Sequence, residues 1–231
     1  MTQAEPAGAR LLELVAVMSR LRRECPWDAK QTHESLAPHL LEESFEALEA
    51  LESGDPEALR EELGDVLLQV MFHAEVASER TDGTGYTIDD VADGIADKLV
   101  RRHPHVFADV TVSGADEVKQ NWDAIKAAER AAKGGGPGSV LDGVPFGQPA
   151  LALAAQLQRR AERAGVPPEL AGRGSTADPA DTGTPPSEIG AELFALVARA
   201  RAAGLDPELE LRTAARAYRD QVRAWEQEQR A

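Results

Sequence analysis

The chain has 231 residues and a formal net charge of −15, with 40 acidic against 25 basic side chains. This charge argues against binding to a nucleic-acid polymer, which needs a basic surface. A single cysteine excludes an internal disulfide, and no apolar run is long enough for a signal peptide or a membrane span, so we expect a cytoplasmic protein.

Two amphipathic helices separated by a tight turn are predicted in the first third of the chain. Apolar residues recur at the helical period over residues 36–51 and again over residues 59–74. Between them, Gly54 can end the first helix, and Asp55 can cap a second helix that has Pro56 at its first position. The pattern therefore predicts an antiparallel helical hairpin.

Five acidic residues stand on this hairpin: Glu42, Glu43 and Glu46 on the first helix, and Glu62 and Asp65 on the second. Residues three apart share a helix face, so four of these carboxylates could point into one gap. Carboxylate oxygens are the ligands that Mg²⁺ and Mn²⁺ prefer. In a chain this acidic, a solvated surface is the competing interpretation, and spacing alone leaves both open.

A third helix is predicted to begin at Thr87 with a capping-box pattern. It carries Lys98, Arg101 and Arg102 on one face near its end, where basic side chains also commonly offset the helix dipole. Its apolar residues, which we expect to be buried, are Ile88, Val91, Ile95 and Leu99.

Several motifs in order carry a family resemblance. The segment Cys25-Pro26-Trp27-Asp28-x-x-Gln31-Thr32 comes first, the two acidic motifs follow, and Lys-Leu-Val-Arg-Arg-His-Pro-His-Val-Phe ends the series at residues 98–107. Over roughly residues 8–150 the chain resembles the MazG nucleoside triphosphate pyrophosphohydrolases. Glu24 stands where that family usually has Gly, in a turn rather than at a ligand position.

The resemblance implies an all-α, MazG-like helical bundle that is completed by dimerisation, and hence a homodimer. It also implies an enzyme that uses Mg²⁺, or Mn²⁺ in its place, to hydrolyse NTP or dNTP to the monophosphate and pyrophosphate. Clearing non-canonical or damaged nucleotides would fit this activity. The alternatives are a more specialised diphosphatase of the same fold, acting on dUTP, dCTP or phosphoribosyl-ATP, and a non-catalytic helical interaction protein.

Residue by residue, the resemblance implies that all five acids serve catalysis. The metal ligands it implies are Glu43, Glu46, Glu62 and Asp65. Glu42 would lie beside them as a weaker ligand, a base that orients water, or a contact to the substrate.

The resemblance also implies a set of substrate contacts. Lys98 and Arg102 match positions similar to the family's phosphate-binding Lys and Arg, with Arg101 as a helper. Trp122 shares a stripe with apolar neighbours and would ordinarily be a core residue, but the matching Trp of the family contacts the nucleotide. Lys126 lies one turn further on.

We further expect Trp27 and Gln31, together with Asp28, to shape the base or ribose pocket. These residues precede the acidic helix in the sequence.

Three segments are predicted: a catalytic domain at 8–133, a linker and connector at 134–150, and a degenerate second MazG-like segment at 151–231. Residues 187–194 can be aligned with residues 61–68, which places Ala191 where Asp65 should stand. The helix that should carry the first acidic motif is missing, and a tract at about 165–187, rich in Gly, Pro, Thr and Asp, is expected to be disordered.

Overall fold

The computed structural model describes residues 8–132, 139–167 and 187–230. Every regular element in these ranges is a helix, which confirms the predicted all-α class. The chain divides into two compact units, Met1–Arg130 and Ala131–Ala231. Of the helices in the described ranges, none combines the length and apolar character needed to cross a bilayer.

The first unit contains five α-helices, a short 3₁₀ helix and most of a sixth α-helix. They are α1 (Ala9–Glu24), the 3₁₀ helix (Asp28–Lys30), α2 (His33–Ser53), α3 (Pro56–Ser78), α4 (Ile88–Arg102), α5 (Pro104–Phe107) and α6 (Ala115–Ala132).

The predicted hairpin is formed by α2 and α3. Gly54 ends α2 with a positive φ of 74°, a conformation that favours glycine. The Asp55 carboxylate accepts hydrogen bonds from the amides of Glu57 and Ala58, and Pro56 is the first residue of α3. These local signals fix the turn, so residues on the facing sides of the two helices meet at predictable positions.

A small apolar core joins three helices of the first unit. Met18 of α1, Leu36 of α2, and Met71 and Phe72 of α3 are all at least nine-tenths buried, and Ile88 at the start of α4 packs against them. The core lies towards the end of the hairpin that is remote from the turn. The acidic residues of α2 and α3 lie nearer the turn than the core does.

The third predicted helix is α4, and its capping box between Thr87 and Asp90 forms as expected. The burial expected for its apolar stripe is found only in part. Ile88 contacts the core, whereas Val91, Ile95 and Leu99 are 37%, 47% and 47% exposed. The expectation was wrong for these three in the single chain, because contact with the core is made at the first turn of α4.

The second unit contains α7 (Ala150–Arg163), α8 (Glu188–Ala202) and α9 (Pro207–Arg230). Gln158 of α7 is buried and donates a hydrogen bond to the carbonyl of Phe194 on α8, at 2.8 Å. The predicted connector belongs to this unit in its described part, since Arg160 donates to the carbonyl of Asp142 at 2.7 Å.

Two segment predictions concern the second unit. Most of the tract at about 165–187 falls on residues 168–186, which lie outside the described residues. The proposed decay of a second repeat stays a prediction. Ser187 caps α8, whereas Glu61, with which it was aligned, lies inside α3.

Candidate active site

The acidic cluster lies where α2 and α3 face each other. Glu43 of α2 and Glu62 and Asp65 of α3 each offer one carboxylate oxygen, and these oxygens all lie within 4.8 Å of one another. All three residues are half-buried. The hairpin therefore does bring residues from the two predicted motifs together.

The carboxylates of the cluster repel one another when they are ionised. Partial burial, followed by the charges of Asp65, Glu46, Glu42 and Glu62, raises the pKa of Glu43 above its usual value. Partial burial and the charges of Glu46 and Asp65 likewise raise the pKa of Glu62. Like charges that share a site disfavour ionisation, so a bound cation would relieve the repulsion.

The donor set fits a hard divalent cation. It consists only of carboxylate oxygens, which suits Mg²⁺ or Mn²⁺ and not a soft metal. Oxygens that share one Mg²⁺ are separated by at most about 4.2 Å, so small side-chain rotations would bring the three carboxylates into range.

The other two predicted acids lie beside this group of three. Glu46 is exposed, and its charge reaches both Glu43 and Glu62. Glu42 is 64% exposed and lies 3.9 Å from Nδ1 of His39. The structure thus places Glu42 at the outer edge of the cluster, and its precise role stays a prediction.

The loop between α1 and α2 places Trp27 against side chains of both hairpin helices. The Trp27 ring meets the rings of Phe72 and His39 edge-on, each at a centroid distance of 6.2 Å, and remains 54% exposed. Trp27 thus presents a half-exposed aromatic surface beside His39, which in turn lies beside Glu42 at the outer edge of the cluster.

Gln31, also predicted to line the pocket, forms side-chain hydrogen bonds with its own loop and with the start of α2. Its side-chain amide donates to the carbonyl of Trp27 at 3.0 Å and accepts from the Ser35 hydroxyl at 2.7 Å. Asp28 is buried. Direct contact of Gln31 with a substrate stays a prediction.

The predicted phosphate-binding arginines meet a carboxylate that the sequence reasoning did not single out. Arg101 and Arg102 of α4 form ion pairs with Glu129 of α6 at 2.6 and 2.7 Å. Hydrogen bonds from Arg102 and then Arg101 lower the pKa of Glu129 to about 2. The two guanidinium groups are thereby held together at the junction of α4 and α6.

The same junction contains Trp122 and Lys126, the two residues of α6 that were predicted to contact the nucleotide. The Lys126 ammonium lies 4.2 Å from the centroid of the Trp122 ring, within the range of a cation–π interaction, and the ring of His103 lies 6.1 Å away. Trp122 is 37% exposed and is therefore not a fully buried core residue. Lys98, one turn before Arg102, is exposed.

Three residues with direct contacts to these groups were missed: Glu129, His39, and Arg22, whose guanidinium donates hydrogen bonds to the backbone carbonyls of Asp28 and Gln31. A signal existed for Glu129, which follows Trp122 by seven residues and Lys126 by three and so shares their helix face. His39 lies three residues before Glu42 on α2 and could have been noticed in the same way. Nothing in the local sequence marks Arg22, because its partners lie in other segments.

Comparison with known proteins matches this arrangement to one family. The family model of the MazG nucleotide pyrophosphohydrolase domain matches residues 31–107, which contain α2, α3 and α4. The nucleoside triphosphate pyrophosphohydrolase/pyrophosphatase MazG of Thermotoga maritima is 39% identical over 96% of this chain and 87% of its own length. The chain belongs to the MazG family.

Other relatives cover different shares of the chain. A 26.1 kDa protein of Streptomyces cacaoi is 47% identical over 95% of this chain and 84% of its own length. The nucleoside triphosphate pyrophosphohydrolase of Mycobacterium tuberculosis is 49% identical over 71% of this chain, and the match spans 48% of that protein. The chain thus spans about half the length of the mycobacterial relative.

Among solved structures, a MazG-related protein from Thermotoga maritima is 28% identical. The match covers 50% of this chain and 98% of that one, with a TM-score of 0.44.

Proposed function

We propose that this protein is a Mg²⁺-dependent nucleoside triphosphate pyrophosphohydrolase, which converts an NTP or dNTP to the monophosphate and pyrophosphate. The observation that carries the proposal is the convergence of Glu43, Glu62 and Asp65 from two helices, with the pKa values of both glutamates raised. Full-length similarity to a relative named for this activity supports it.

The acidic residues would have different roles, depending on their positions in the cluster. Glu43, Glu62 and Asp65 would hold Mg²⁺, or Mn²⁺ in its place, and Glu46 would add a fourth carboxylate from its position one turn after Glu43. When bound, the ion supplies Lewis acidity and neutralises charge on the triphosphate. Glu42, whose side chain is 64% exposed, would orient the attacking water or accept its proton.

The basic residues would hold the distal phosphates. Arg102 and Arg101, prealigned by Glu129, present two guanidinium groups side by side, and such groups bind phosphate oxygens bidentately. Together with Lys98 they would hold the β- and γ-phosphates as one pyrophosphate leaving group. Trp122 and Lys126 lie at the same junction and would contact the nucleotide.

A homodimer is part of this proposal. The exposed apolar stripe of α4, formed by Val91, Ile95 and Leu99, would be covered by a second copy of the chain. A helix with an uncovered apolar face gains stability when a partner covers that face, and most soluble homo-oligomers are twofold dimers. Size measurement by light scattering would test the assembly.

The proposal is tested by a nucleotide panel with identified products. Purified protein is incubated with NTPs, dNTPs, oxidised nucleotides and phosphoribosyl-ATP, with and without Mg²⁺. Monophosphate and pyrophosphate in equal amounts, dependent on Mg²⁺, are expected. Accumulation of a nucleoside diphosphate would contradict the proposal, and turnover of dUTP, dCTP or phosphoribosyl-ATP alone would favour the specialised alternative.

The same panel bears on the biological role. A higher kcat/KM for oxidised or otherwise non-canonical nucleotides than for the common ones would support clearance of damaged nucleotides. Cytoplasmic location stays a prediction.

A further inference from the structure

Arg22 of α1 occupies an unusual position for a guanidinium group, since its side chain is only 9% exposed. Its Nε donates to one carboxylate oxygen of Glu79 at 2.6 Å, and its Nη2 donates to the other oxygen at 2.8 Å. Glu79 stands directly after the last residue of α3. Arg22 therefore joins α1 to the end of α3 through a bidentate ion pair.

The third nitrogen of Arg22 reaches the loop that precedes α2. Its Nη1 donates to the backbone carbonyl of Asp28 and, at 3.0 Å, to the backbone carbonyl of Gln31. Asp28 is the first residue of the 3₁₀ helix, and Gln31 directly follows its last residue. One buried side chain thus ties the loop to two helices.

This loop carries the aromatic ring that contacts His39, the neighbour of Glu42. Trp27 immediately precedes the 3₁₀ helix, and its own carbonyl accepts a hydrogen bond from the Gln31 side chain. Its ring rests edge-on against Phe72 and His39, so the position of residues 27–31 sets the direction of the exposed ring face.

We infer that Arg22 is a positioning residue for the nucleoside end of the substrate. It holds residues 27–31 so that the half-exposed Trp27 ring stands beside the acidic cluster as a stacking surface for a nucleobase. Bases of any type stack on an aromatic face, which fits a substrate class of nucleoside triphosphates with loose base selectivity. This inference rests on the proposed function.

The chemistry of the guanidinium is specific to this task. Arginine presents its donors in a rigid planar fork, which serves Glu79 with two nitrogens and the loop carbonyls with the third. A lysine at this position keeps the charge but cannot make both sets of bonds in fixed directions. Arg22→Lys should therefore recover only part of what Arg22→Met loses.

The kinetic test separates the nucleoside end of the substrate from its phosphate end. It compares wild type, Arg22→Met and Arg22→Lys with dATP as substrate and inorganic tripolyphosphate, which has no base, as competitive inhibitor. For Arg22→Met we expect KM for dATP to rise about tenfold, with kcat and the inhibition constant of tripolyphosphate each within about twofold of wild type. An unchanged KM, or a tripolyphosphate constant that rises in parallel with KM, would overturn the inference.

Arg20→Met is the matched control. Arg20 lies on the same helix, its side chain is 73% exposed, and it pairs with Glu24 on that helix. Its replacement should leave KM, kcat and the tripolyphosphate constant unchanged. A rise in KM equal to that of Arg22→Met would show a general charge effect and would count against the inference.

A second readout does not depend on turnover. Acrylamide quenching of Trp27 fluorescence is taken as the difference between each protein and its counterpart with Trp27→Phe. We expect Arg22→Met to increase this quenching, and no increase would overturn the inference even if the enzyme is active. If wild type hydrolyses no triphosphate, the proposed function fails, while this measurement still decides whether Arg22 orders the loop.

Glu79→Gln covers the case in which Arg22→Met does not fold. It leaves Arg22 in place but weakens the bidentate pair, so KM and Trp27 quenching should move in the same directions by smaller amounts. If neither quantity moves in a folded Glu79→Gln protein, the inference is refuted.

Discussion

The pKa values of glutamates in the two charged clusters of the first unit are shifted in opposite directions. Glu43 and Glu62 face other carboxylates, and repulsion together with partial burial raises their pKa values. Glu129 faces two guanidinium groups, which lower its pKa to about 2. The α2–α3 cluster, formed by Glu43, Glu62 and Asp65, thus has an excess of negative charge that a cation would relieve. The α4–α6 cluster, formed by Arg101, Arg102 and Glu129, contains both positive and negative groups, which partly neutralise one another.

Under the proposed function, this difference would allow an acidic protein to act on an anionic substrate. In the proposed function the α2–α3 cluster would attract a divalent cation, while Glu129 keeps two arginines of the α4–α6 cluster paired although the chain as a whole is negative. Glu129 pairs with both arginines, so they would need little further ordering to bind phosphate as proposed. Four experiments test the roles proposed for the two clusters.

The largest effect is expected from removing a carboxylate of the α2–α3 cluster. Glu43→Ala or Asp65→Ala should lower kcat about a thousandfold or more, because a catalytic metal site contributes several kcal/mol to transition-state stabilisation. Helix content measured by circular dichroism should stay nearly unchanged, since the substitution also removes repulsion. Glu49→Ala, at an exposed position on the same helix, is the control. If Asp65→Ala retains wild-type turnover at saturating Mg²⁺, the cluster is only a solvated acidic surface.

Mg²⁺ should stabilise the folded protein measurably. A ligand that binds only the folded state, at a hundred times its Kd, adds about 2.7 kcal/mol to the free energy of unfolding. We expect Mg²⁺ to raise the Tm in differential scanning fluorimetry by about 5–10 °C. The shift should be absent in Glu43→Gln and with Na⁺ at matched ionic strength. An equal shift in Glu43→Gln would place the ion elsewhere.

The α4–α6 cluster is tested with Arg102→Ala. Charged hydrogen bonds to phosphate contribute about 1.5–3 kcal/mol, so KM for the triphosphate should rise about tenfold or more. Arg223→Ala, on α9 of the second unit, is the control and should leave KM unchanged. A fall in Tm without a change in KM would instead mean that the pair of Arg102 with Glu129 is purely structural.

The smallest effect concerns acid stability. The pKa of Glu129 is lowered from its usual 4.5 to about 2 in the folded protein, so its ion pairs stabilise the fold fully above pH 4.5. This contribution is lost as the pH falls from 4.5 towards 2, because the unfolded chain takes up the proton first. The difference in Tm between wild type and Glu129→Gln should therefore shrink below pH 4.5. A difference that stays constant down to pH 3 would contradict the assignment.

Much of the first unit followed from local sequence. The turn at Gly54, the cap at Asp55 and the capping box at Thr87 are decided by residues within one helical turn of each other. The convergence of Glu43 with Glu62 and Asp65 also followed, since a tight turn fixes the register of the two helices.

The burial of α4 did not follow from its pattern. The stripe of Val91, Ile95 and Leu99 has helical periodicity, but periodicity shows only that a face is apolar and not what covers it. In the single chain this face is exposed, and the proposed second copy is what would bury it.

Local sequence was enough to predict where the first helix of the hairpin ends, where the second begins and which carboxylates share a face, because these features depend on contacts a few residues apart. The pairing of distant groups depends instead on the tertiary structure. Glu129 neutralises arginines 27 and 28 positions away, and Arg22 reaches a carboxylate 57 positions away. Such pairs depend on how whole helices pack, which no local pattern of residues encodes.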